Sequence, residues 1–382
     1  MNDSILQSRR PRRVLHFVGC MTPGGAENWL MRLLRKADRN DLQMDFCVDG
    51  VCGSYEEEIK SYGSKIIHCP IKPFLTYPHR LARILRENRY DVVHSHGWLF
   101  SGLVLWVAHH CGVPVRIAYS HTTRDKYQLT LYRKLYGWLM RSLIVKHSTH
   151  CLGCCSEASL ALFGNNWENI EKCGLLYTSV DLEEFSANRS SMVTRAEFGI
   201  PSDVIVIGHV GSFRMAKNHS FFLDIAVEII KRHPKVYFFL AGDGELRGEM
   251  EMKAERLSIK DKVIFAGNRS DVPQLMMYLF DILLFPSIYE GMPLTLVEAA
   301  ASGLRVVCSD VITPEATDVL PESFTRLSLD LPPSQWAEKV LDAVKKGRLS
   351  REYAYNQVKN SHFAIDYSLQ QLRVIYGCDR SN

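Results

Sequence analysis

The stretch FPSIYEGMPLTLVEAA, residues 285–300, passes from an apolar strand through a loop into a helix and holds two carboxylates eight positions apart. Glu290 lies in the loop at the carboxyl end of the strand, whereas Glu298 lies more than one turn into the helix. Pro293 is predicted to open that helix as its first residue, because proline's fixed φ suits the first turn. The amides of this turn have no helical partner, so this unit has room for contacts with a diphosphate, a sugar and a ribose.

Apolar runs of the same kind recur along the chain and alternate with amphipathic stretches of helical period. Strands that are apolar at nearly every residue are typical of a parallel sheet that is covered on both faces. The fold class is therefore predicted as α/β, with two Rossmann-like, doubly wound parallel-sheet domains. The predicted strands are residues 14–19, 44–48, 65–69, 91–96, 115–121 and 151–156 in the first half, and 204–211, 236–242, 263–267, 281–286 and 305–309 in the second.

The chain length of 382 residues also favours two domains. A polar, broken segment near residues 180–202 separates the two series of strands. We place the first domain at residues 12–182 and the second at 183–364, and we expect a C-terminal helix within 365–382 to pack back on the first. Ligands of such sheets bind beyond the carboxyl ends of the strands, so we expect two of these edges to face a central cleft.

The composition, with 46% hydrophobic and 23% charged residues, indicates a globular protein rather than a disordered or fibrous one. A net charge of +4 is too small for a dedicated nucleic-acid binder. The 11 scattered cysteines favour reduced thiols, and the polar, arginine-rich residues 1–13 do not resemble a signal peptide. A cytoplasmic location is therefore expected, and no apolar run is long enough to span a membrane.

A candidate phosphate loop follows the first strand of each predicted domain. Gly24 and Gly25 allow backbone amides to approach a phosphate closely, and residues 211–218 carry Arg214 and Lys217 three positions apart. The alternatives are a tight βα turn in the first loop and two solvated cations in the second. The spacing matches neither GxGxxG nor GxxxxGK[ST], so a nicotinamide dinucleotide site is poorly supported.

Three histidines are predicted at the carboxyl ends of neighbouring strands. His94 and His96 alternate along one strand, and His121 ends the next. A metal site would need a third ligand, and we predict no metal here. Hydrogen bonding near the cleft is the preferred interpretation, above all for His121, with packing as the alternative for His94. The cysteines at 151, 154 and 155 are interpreted as buried thiols within a strand, because no second CxxC pair exists.

The segment from Lys126 to His147 mixes leucine, tyrosine and tryptophan with lysine and arginine at helical spacing. Two interpretations remain open for it. It is either an interfacial helix in peripheral contact with a membrane or an ordinary helix that covers the sheet.

Several motifs together resemble glycosyltransferase family four, over almost the whole chain. The resemblance implies the GT-B fold, with an N-terminal acceptor-side domain and a C-terminal domain that binds a nucleotide-sugar. Among relatives, the opening GGAE and the SHT segment look most like bacterial exopolysaccharide and capsule glycosyltransferases. The motifs are GGAE at 24–27, DVVHSHG at 91–97, SHT at 120–122, CCSE at 154–157, VDLEEF at 180–185, KNH at 217–219, AGDGE at 241–245, FAGNRSDV at 265–272 and the E-x7-E element at 290–298.

The resemblance also implies roles for individual residues. Glu298 should bind the ribose, Glu290 the transferred sugar, and His121 should lie beside the reacting sugar; Glu290 and His121 are the catalytic candidates. The other implied residues are Gly24, Gly25, Arg214, Lys217, Arg269, Met292, Leu294 and Thr295 for the donor, and Glu27 and His96 on the acceptor side.

Two positions depart from the family pattern. Ser212 stands where an arginine usually follows the glycine, with Arg214 two places later, and Thr178-Ser179 replaces a common Asn-Gly. The first departure leaves open whether Arg214 takes over the missing charge. The second is expected to affect the interdomain turn more than the chemistry.

By resemblance, the chain is expected to be a retaining glycosyltransferase. The donor would be a UDP-sugar, and the acceptor a saccharide or lipid-linked saccharide in surface polysaccharide synthesis. The sequence has no Asp-x-Asp pair, so fixed cations and helix dipoles should neutralise the leaving group without a metal or other cofactor. A nucleotide-sugar epimerase of the same fold and a non-catalytic scaffold are the alternatives.

Overall fold

The computed structural model describes residues 10–22, 24–50, 53–123, 130–186 and 193–378. The chain divides into two compact units. The first comprises Met1–Thr178 together with Ile365–Asn382, and the second comprises Ser179–Ala364. Each unit contains one parallel β-sheet flanked by helices.

The sheet of the first unit has seven strands: β1 (Arg12–Val18), β2 (Leu42–Val48), β3 (Ile66–His68), β4 (Val92–Ser95), β5 (Val115–Ser120), β6 (His150–Gly153) and β7 (Cys173–Leu175). All of them pair in parallel, in the order β3-β2-β1-β4-β5-β6-β7. The strand order reverses at β1, which lies between β2 and β4. The helices that connect these strands are α1 (Gly25–Lys36), α2 (Glu56–Ser61), α3 (Tyr77–Asn88), α4 (Ser101–His110), α5 (Leu131–His147) and α6 (Ser156–Phe163).

The sheet of the second unit has six strands: β8 (Ile205–Val210), β9 (Val236–Ala241), β10 (Val263–Gly267), β11 (Ile282–Phe285), β12 (Val306–Ser309) and β13 (Phe324–Leu327). They are also parallel, in the order β10-β9-β8-β11-β12-β13, so the order reverses at β8. The helices of this unit are α7 (His219–Arg232), α8 (Arg247–Arg256), α9 (Val272–Gln274), α10 (Leu294–Ala301), α11 (Pro333–Lys346) and α12 (Arg351–Lys359).

The central strands of the second unit are buried on both faces. Along β11, Ile282 and Leu284 belong to one hydrophobic core, whereas Leu283 and Phe285 belong to the core on the other face. Successive side chains of a strand point to opposite faces, so a strand packed on both sides must be apolar throughout. This is the physical origin of the uninterrupted apolar runs from which the α/β fold was predicted, and the predicted fold class is confirmed.

The C-terminal helix α13 (Ile365–Tyr376) packs with the first unit. Arg373 forms an ion pair with Asp41, and the Ser368 hydroxyl donates a hydrogen bond to the Tyr177 carbonyl over 3.2 Å. The Tyr376 hydroxyl lies 2.7 Å from Nδ1 of His94, inside the sheet region. The last helix is thus held by side chains at its beginning, middle and end.

Every predicted apolar run contains a strand, but the short strands β7 and β13 were not predicted. All their residues are only half-buried, so neither carries the apolar run that marks a central strand. Cys154 and Cys155 were assigned to a strand, and this is wrong: β6 ends at Gly153, and both cysteines lie in the turn before α6. They are nonetheless buried, as expected.

Helix α5 covers most of the segment for which a membrane or a sheet-covering role was left open; residues 126–129 of that segment lie outside the described residues. Several of its large apolar side chains are exposed, among them Leu131, Tyr132, Leu135 and Trp138. Across the part of the chain that the structure describes, no helix is both long and apolar enough to cross a membrane.

Candidate functional site

In each unit most of the candidate residues follow the two strands that flank the point where the sheet order reverses, β1 and β4 in the first unit and β8 and β11 in the second; His121 follows β5, and Arg269 follows β10. Crevices at such switch points, beyond the carboxyl ends of the strands, are where open α/β sheets bind ligands. In the second unit the two loops concerned follow β8 and β11, and they carry Lys217 and Glu290. The backbone amide of Ile288 donates a hydrogen bond of 2.7 Å to the Ala216 carbonyl, which ties the two loops together.

Lys217 and Glu290 form an ion pair with 2.6 Å between Nζ and Oε1. Only 17% of the lysine side chain and 12% of the glutamate side chain are exposed, so the pair is largely shielded from water. The ammonium group also lies 4.8 Å from the centroid of the Phe285 ring, in cation–π range. Two candidates that stand 73 positions apart in sequence are therefore in direct contact.

Arg214 lies at the start of the short helical turn Met215–Lys217, and its side chain is exposed. The turn ends at Asn218, whose φ of 54° is left-handed and which is the cap residue before α7. Asparagine tolerates this conformation better than most residues, because its short side chain can form local hydrogen bonds. The chain turns at this asparagine between the loop and α7, so Arg214 and Lys217 belong to the loop and not to the helix.

The second glutamate lies in α10. This helix begins at Leu294 with Pro293 as its preceding cap residue, so the prediction that Pro293 is its first residue is wrong by one position. The extended ψ of 92° at Pro293 keeps it outside the helix. Glu298 is 8% exposed, and Leu294 is equally buried, while Thr295 and Met292 are half-buried. The amides of the first turn have no partner within the helix, which favours an anion at this end.

The loop after β9 supports the loop after β8. Gly242 has a φ of 145°, and a Cβ atom at this position would lie 2.1 Å from the carbonyl oxygen of Gly211. Only glycine permits so close an approach of two backbones. This contact is a physical reason for the first glycine of the AGDGE motif, Gly242.

Arg269 lies in the loop after β10 and makes a two-pronged ion pair with Asp271, with N–O distances of 2.8 and 2.6 Å. Its guanidinium carbon also lies 5.4 Å from the centroid of the Phe198 ring. These contacts hold the loop in place. The guanidinium is therefore already paired, which leaves the backbone of this loop and the face of the arginine for a ligand.

In the first unit, Gly24 is the cap residue of α1, and Gly25 is its first residue. A Cβ atom at Gly24 would lie 2.4 Å from Oε2 of Glu27, whereas one at Gly25 would meet no other described residue within 4 Å. The Glu27 carboxylate therefore covers the beginning of α1, where it interacts favourably with the helix dipole. A phosphate could approach these amides only if the glutamate side chain moved aside.

Four histidines gather at the carboxyl ends of β1, β4 and β5. His16 Nδ1 lies 3.1 Å from His96 Nε2, and His96 Nδ1 lies 2.8 Å from His121 Nε2. His94 instead contacts the hydroxyl of Tyr376. His16 was not among the predicted residues, although it follows from the fold: β1 pairs with β4, and His16 is in register with His94.

Burial from water lowers the pKa of every one of these four histidines. The pKa of His16 and that of His121 are each lowered to about 3 by desolvation. Desolvation also places the pKa values of His94 and His96 well below the ordinary value, and neighbouring rings lower them further. All four rings are therefore neutral near pH 7.

Ring nitrogens of His16, His94 and His96 all lie within 4.8 Å of one another, a spacing that could admit a metal ion. However, the ring nitrogens of His16 and His96 are already within hydrogen-bonding distance of each other. We therefore interpret the group as a hydrogen-bonded cluster, and the absence of a metal site remains a prediction.

Two family models match the chain. The model described as Glycosyltransferase Family 4 matches residues 23–184, and the model described as Glycosyl transferases group 1 matches residues 192–360. Together they cover both units.

Relatives and solved structures extend this similarity to nearly full length. EpsF of Bacillus subtilis (strain 168), which is named as a glycosyltransferase, is 36% identical over 94% of each chain. The capsular polysaccharide biosynthesis glycosyltransferase CapH of Staphylococcus aureus is 25% identical over 95% of this chain and 98% of its own. An Escherichia coli UDP-Gal:alpha-D-GlcNAc-diphosphoundecaprenol alpha-1,3-galactosyltransferase is 26% identical over 60% of each chain. The crystal structure of Anabaena HepE with UDP-glucose has a TM-score of 0.78 at 17% identity, covering 96% of this chain and 99% of that one, and shows the same fold.

Proposed function

Because the chain belongs to glycosyltransferase family four and has the GT-B fold, we propose that it transfers a sugar from a UDP-sugar to a saccharide or lipid-linked saccharide, with retention of configuration. The product would belong to a surface polysaccharide, as the name of the capsular relative indicates for that protein. The names of the relatives given above favour neither an epimerase nor a scaffold.

The observation that carries this proposal is the Lys217–Glu290 pair beside the beginning of α10. An ammonium group has three N–H donors, so Lys217 can keep Glu290 as one partner and offer the others to a diphosphate. Arg214, exposed on the same loop, would add a second cation. Fixed positive charge at the leaving diphosphate stabilises the transition state without rearrangement during the reaction.

The carboxylates would divide the rest of the donor between them. Glu290, at the loop, would accept hydrogen bonds from hydroxyls of the transferred sugar, and Glu298, one turn into α10, would accept them from the ribose. The amides at Leu294 and Thr295 would bind phosphate oxygens between the two, with Met292 beside them. We propose that this arrangement neutralises the leaving group without a metal ion.

In the first unit, we propose that Gly24 and Gly25 contact phosphate oxygens once Glu27 has turned away, that Glu27 and His96 serve the acceptor side, and that His121 lies beside the reacting sugar. The loop that holds Arg269 would contact the nucleobase. The domain limits 12–182 and 183–364 remain part of this proposal.

The lipid-linked acceptor is proposed from the surface of α5. A groove of about 630 Å³ runs beside this helix. It is lined by the exposed Trp138 and by the basic residues Arg133, Lys134, Arg141 and Lys146. Cationic groups next to exposed aromatic and apolar side chains are typical of a helix that lies at a membrane surface. We therefore propose peripheral contact with the cytoplasmic face of the membrane. The name of the Escherichia coli relative gives a diphosphoundecaprenol-linked sugar as the acceptor of that protein.

A transfer assay with anomeric analysis of the product tests this proposal. Purified protein, a UDP-sugar and polyprenyl-diphosphate saccharides would be incubated with and without EDTA, and the product examined by proton NMR. We expect a product with the donor's anomeric configuration and no loss of rate in EDTA. An inverted product would contradict retention, and loss of activity that Mg²⁺ or Mn²⁺ restores would contradict metal independence.

A further inference from the structure

The first unit contains a continuous row of histidine rings that leads from the middle of the sheet to a half-buried side chain. His16 is the inner end of the row and is buried, and His96 is the middle ring. His121 is the outer end and is partly exposed to solvent. The two N–N distances along the row, 3.1 and 2.8 Å, are those of hydrogen bonds. The row follows the strand order β1-β4-β5, so the fold itself brings the rings together.

A neutral imidazole has one N–H and one bare nitrogen. Each link of the row needs one donor and one acceptor, so the choice of tautomer at one ring determines the choice at the next. Only two arrangements satisfy both links. In one, every ring carries its proton on Nδ1 and donates towards His121; in the other, every ring carries its proton on Nε2 and donates towards His16.

The inner end of the row decides between them. Nε2 of His16 is buried and has no hydrogen-bond partner among the residues that the structure describes. If protons pointed inward, this position would be a buried N–H without an acceptor; if they point outward, it is only a bare nitrogen. Buried donors without partners are rarer in proteins than under-satisfied acceptors, because an unpaired N–H loses all its hydrogen bonding to water.

We propose that His16 and His96 are positioning residues that hold His121 in its Nδ1–H tautomer. Nδ1 of His121, at the outer end of the row, is then a hydrogen-bond donor. The tautomer itself does not depend on the proposed function, but its consequence rests on that function. The consequence is that His121 would donate to an oxygen of the sugar and would not act as a general base. Because the ring stays neutral near pH 7, the donor is present throughout the neutral range.

The tautomer is measured directly on the protein without substrates. Long-range proton–nitrogen NMR spectra of protein labelled with ¹⁵N-histidine separate protonated from bare ring nitrogens. We expect Nδ1 of His16, His96 and His121 to carry the proton in the natural protein. A dominant Nε2–H form of His121, or a charged His121 at pH 7, would overturn the proposal.

Three variants test whether His16 is the cause. In His16→Phe the N–H that donates to Nε2 of His96 is lost, and the phenyl ring can accept a proton from that nitrogen only weakly, so neither direction is strongly preferred and we expect His96 and His121 to become mixtures of tautomers. His16→Asn places an amide N–H near the former Nδ1, so it should restore the Nδ1–H form of His121. The matched control is Tyr376→Phe, which removes the partner of His94 and leaves the row intact. An unchanged His121 in His16→Phe, with the fold preserved, would remove His16 from this role.

Activity then separates this inference from the proposed function. For the donor that the protein accepts, His16→Phe should lower kcat roughly 3- to 10-fold, the effect of one hydrogen bond, with little change in the donor's KM. His16→Asn should recover most of the rate. If no donor is accepted by the natural protein, the proposed function fails, but the tautomer result still stands or falls on the spectra.

Discussion

At the scale of single residues, the paired Lys217 and Glu290 are the clearest candidate for chemistry. Sequence spacing and resemblance identified both residues but did not predict that they contact each other. Their contact depends on the order β9-β8-β11, which brings two loops far apart in sequence to one edge of the sheet. We propose that this shielded ion pair keeps both side chains in position until a phosphate and a sugar provide further partners.

Replacement of Lys217 by alanine tests the charge. Loss of one well-placed cation at the leaving group should lower turnover by on the order of 30- to 1,000-fold. Lys231→Ala is the matched control, because this lysine of α7 is exposed and pairs with Glu228 at the surface. A change of less than threefold in a folded Lys217→Ala protein would remove the residue from the site.

The buried histidines make stability depend on pH. The pKa of His16 is about 3 in the folded protein and near 6.5 in an unfolded chain, so the unfolded state binds more protons between these values. The free energy of unfolding is therefore highest above pH 6.5 and falls as the pH decreases towards 3, by about 1.4 kcal/mol per pH unit for each such residue.

Urea unfolding at pH 4.5, 5.5 and 7 checks this expectation. His16→Phe has one such group fewer, so its stability should fall less steeply than that of the natural protein. Parallel slopes for the two proteins would show that His16 is not neutral and buried.

At the scale of elements, the contact between the loops after β8 and β9 leaves no room for a side chain at Gly242. Gly242→Ala would force a side chain against the Gly211 carbonyl at a left-handed φ. We expect it to lower stability by about 1–3 kcal/mol and to weaken nucleotide binding through the displaced loop.

Gly248→Ala is the matched control for this substitution. Gly248 lies in α8, and within the described part of the chain a Cβ atom there has no neighbour within 4 Å, so alanine should be neutral or stabilise the helix by up to about 1 kcal/mol. Both variants would be compared by chemical unfolding and by protection against heat with UDP. Equal stabilities would contradict the close approach of the two loops.

Elements differed in how well the sequence predicted them, for physical reasons. Central strands such as β11 are covered on both faces and carry unbroken apolar runs. The edge strands β7 and β13 are half-buried and have no such signal. The position of His16 in the site was missed because strand order is not visible in local sequence, although the histidine itself stands in the predicted first strand.

At the scale of the whole molecule, the two-domain fold and the family were predictable, because two series of strands and several ordered motifs cover nearly the full length. The surfaces that contact partners were less predictable from the sequence. The mixed character of α5 left membrane contact open, and the structure adds that Leu135 and Trp138 are 62% and 67% exposed.

Vesicle sedimentation tests this surface. The protein should bind vesicles that contain anionic phosphatidylglycerol more strongly than neutral ones, and less strongly at high salt. Leu135→Ser with Trp138→Ser should weaken binding roughly tenfold, because two apolar side chains no longer enter the interface. Leu160→Ser, which alters an exposed leucine of α6, is the control. Equal binding of all proteins would contradict the proposed membrane contact.

The central claim is that the second unit binds a nucleotide-sugar donor through α10 and the loops beside it. The most direct test is the purified protein against a panel of UDP-, GDP- and ADP-sugars, with thermal shift and release of nucleoside diphosphate as readouts and Glu298→Ala as control. We predict that a UDP-sugar raises the melting temperature and is slowly hydrolysed, and that both effects are lost in the variant. A natural protein that responds to no donor, or a variant that responds as well as the natural protein, would contradict the claim.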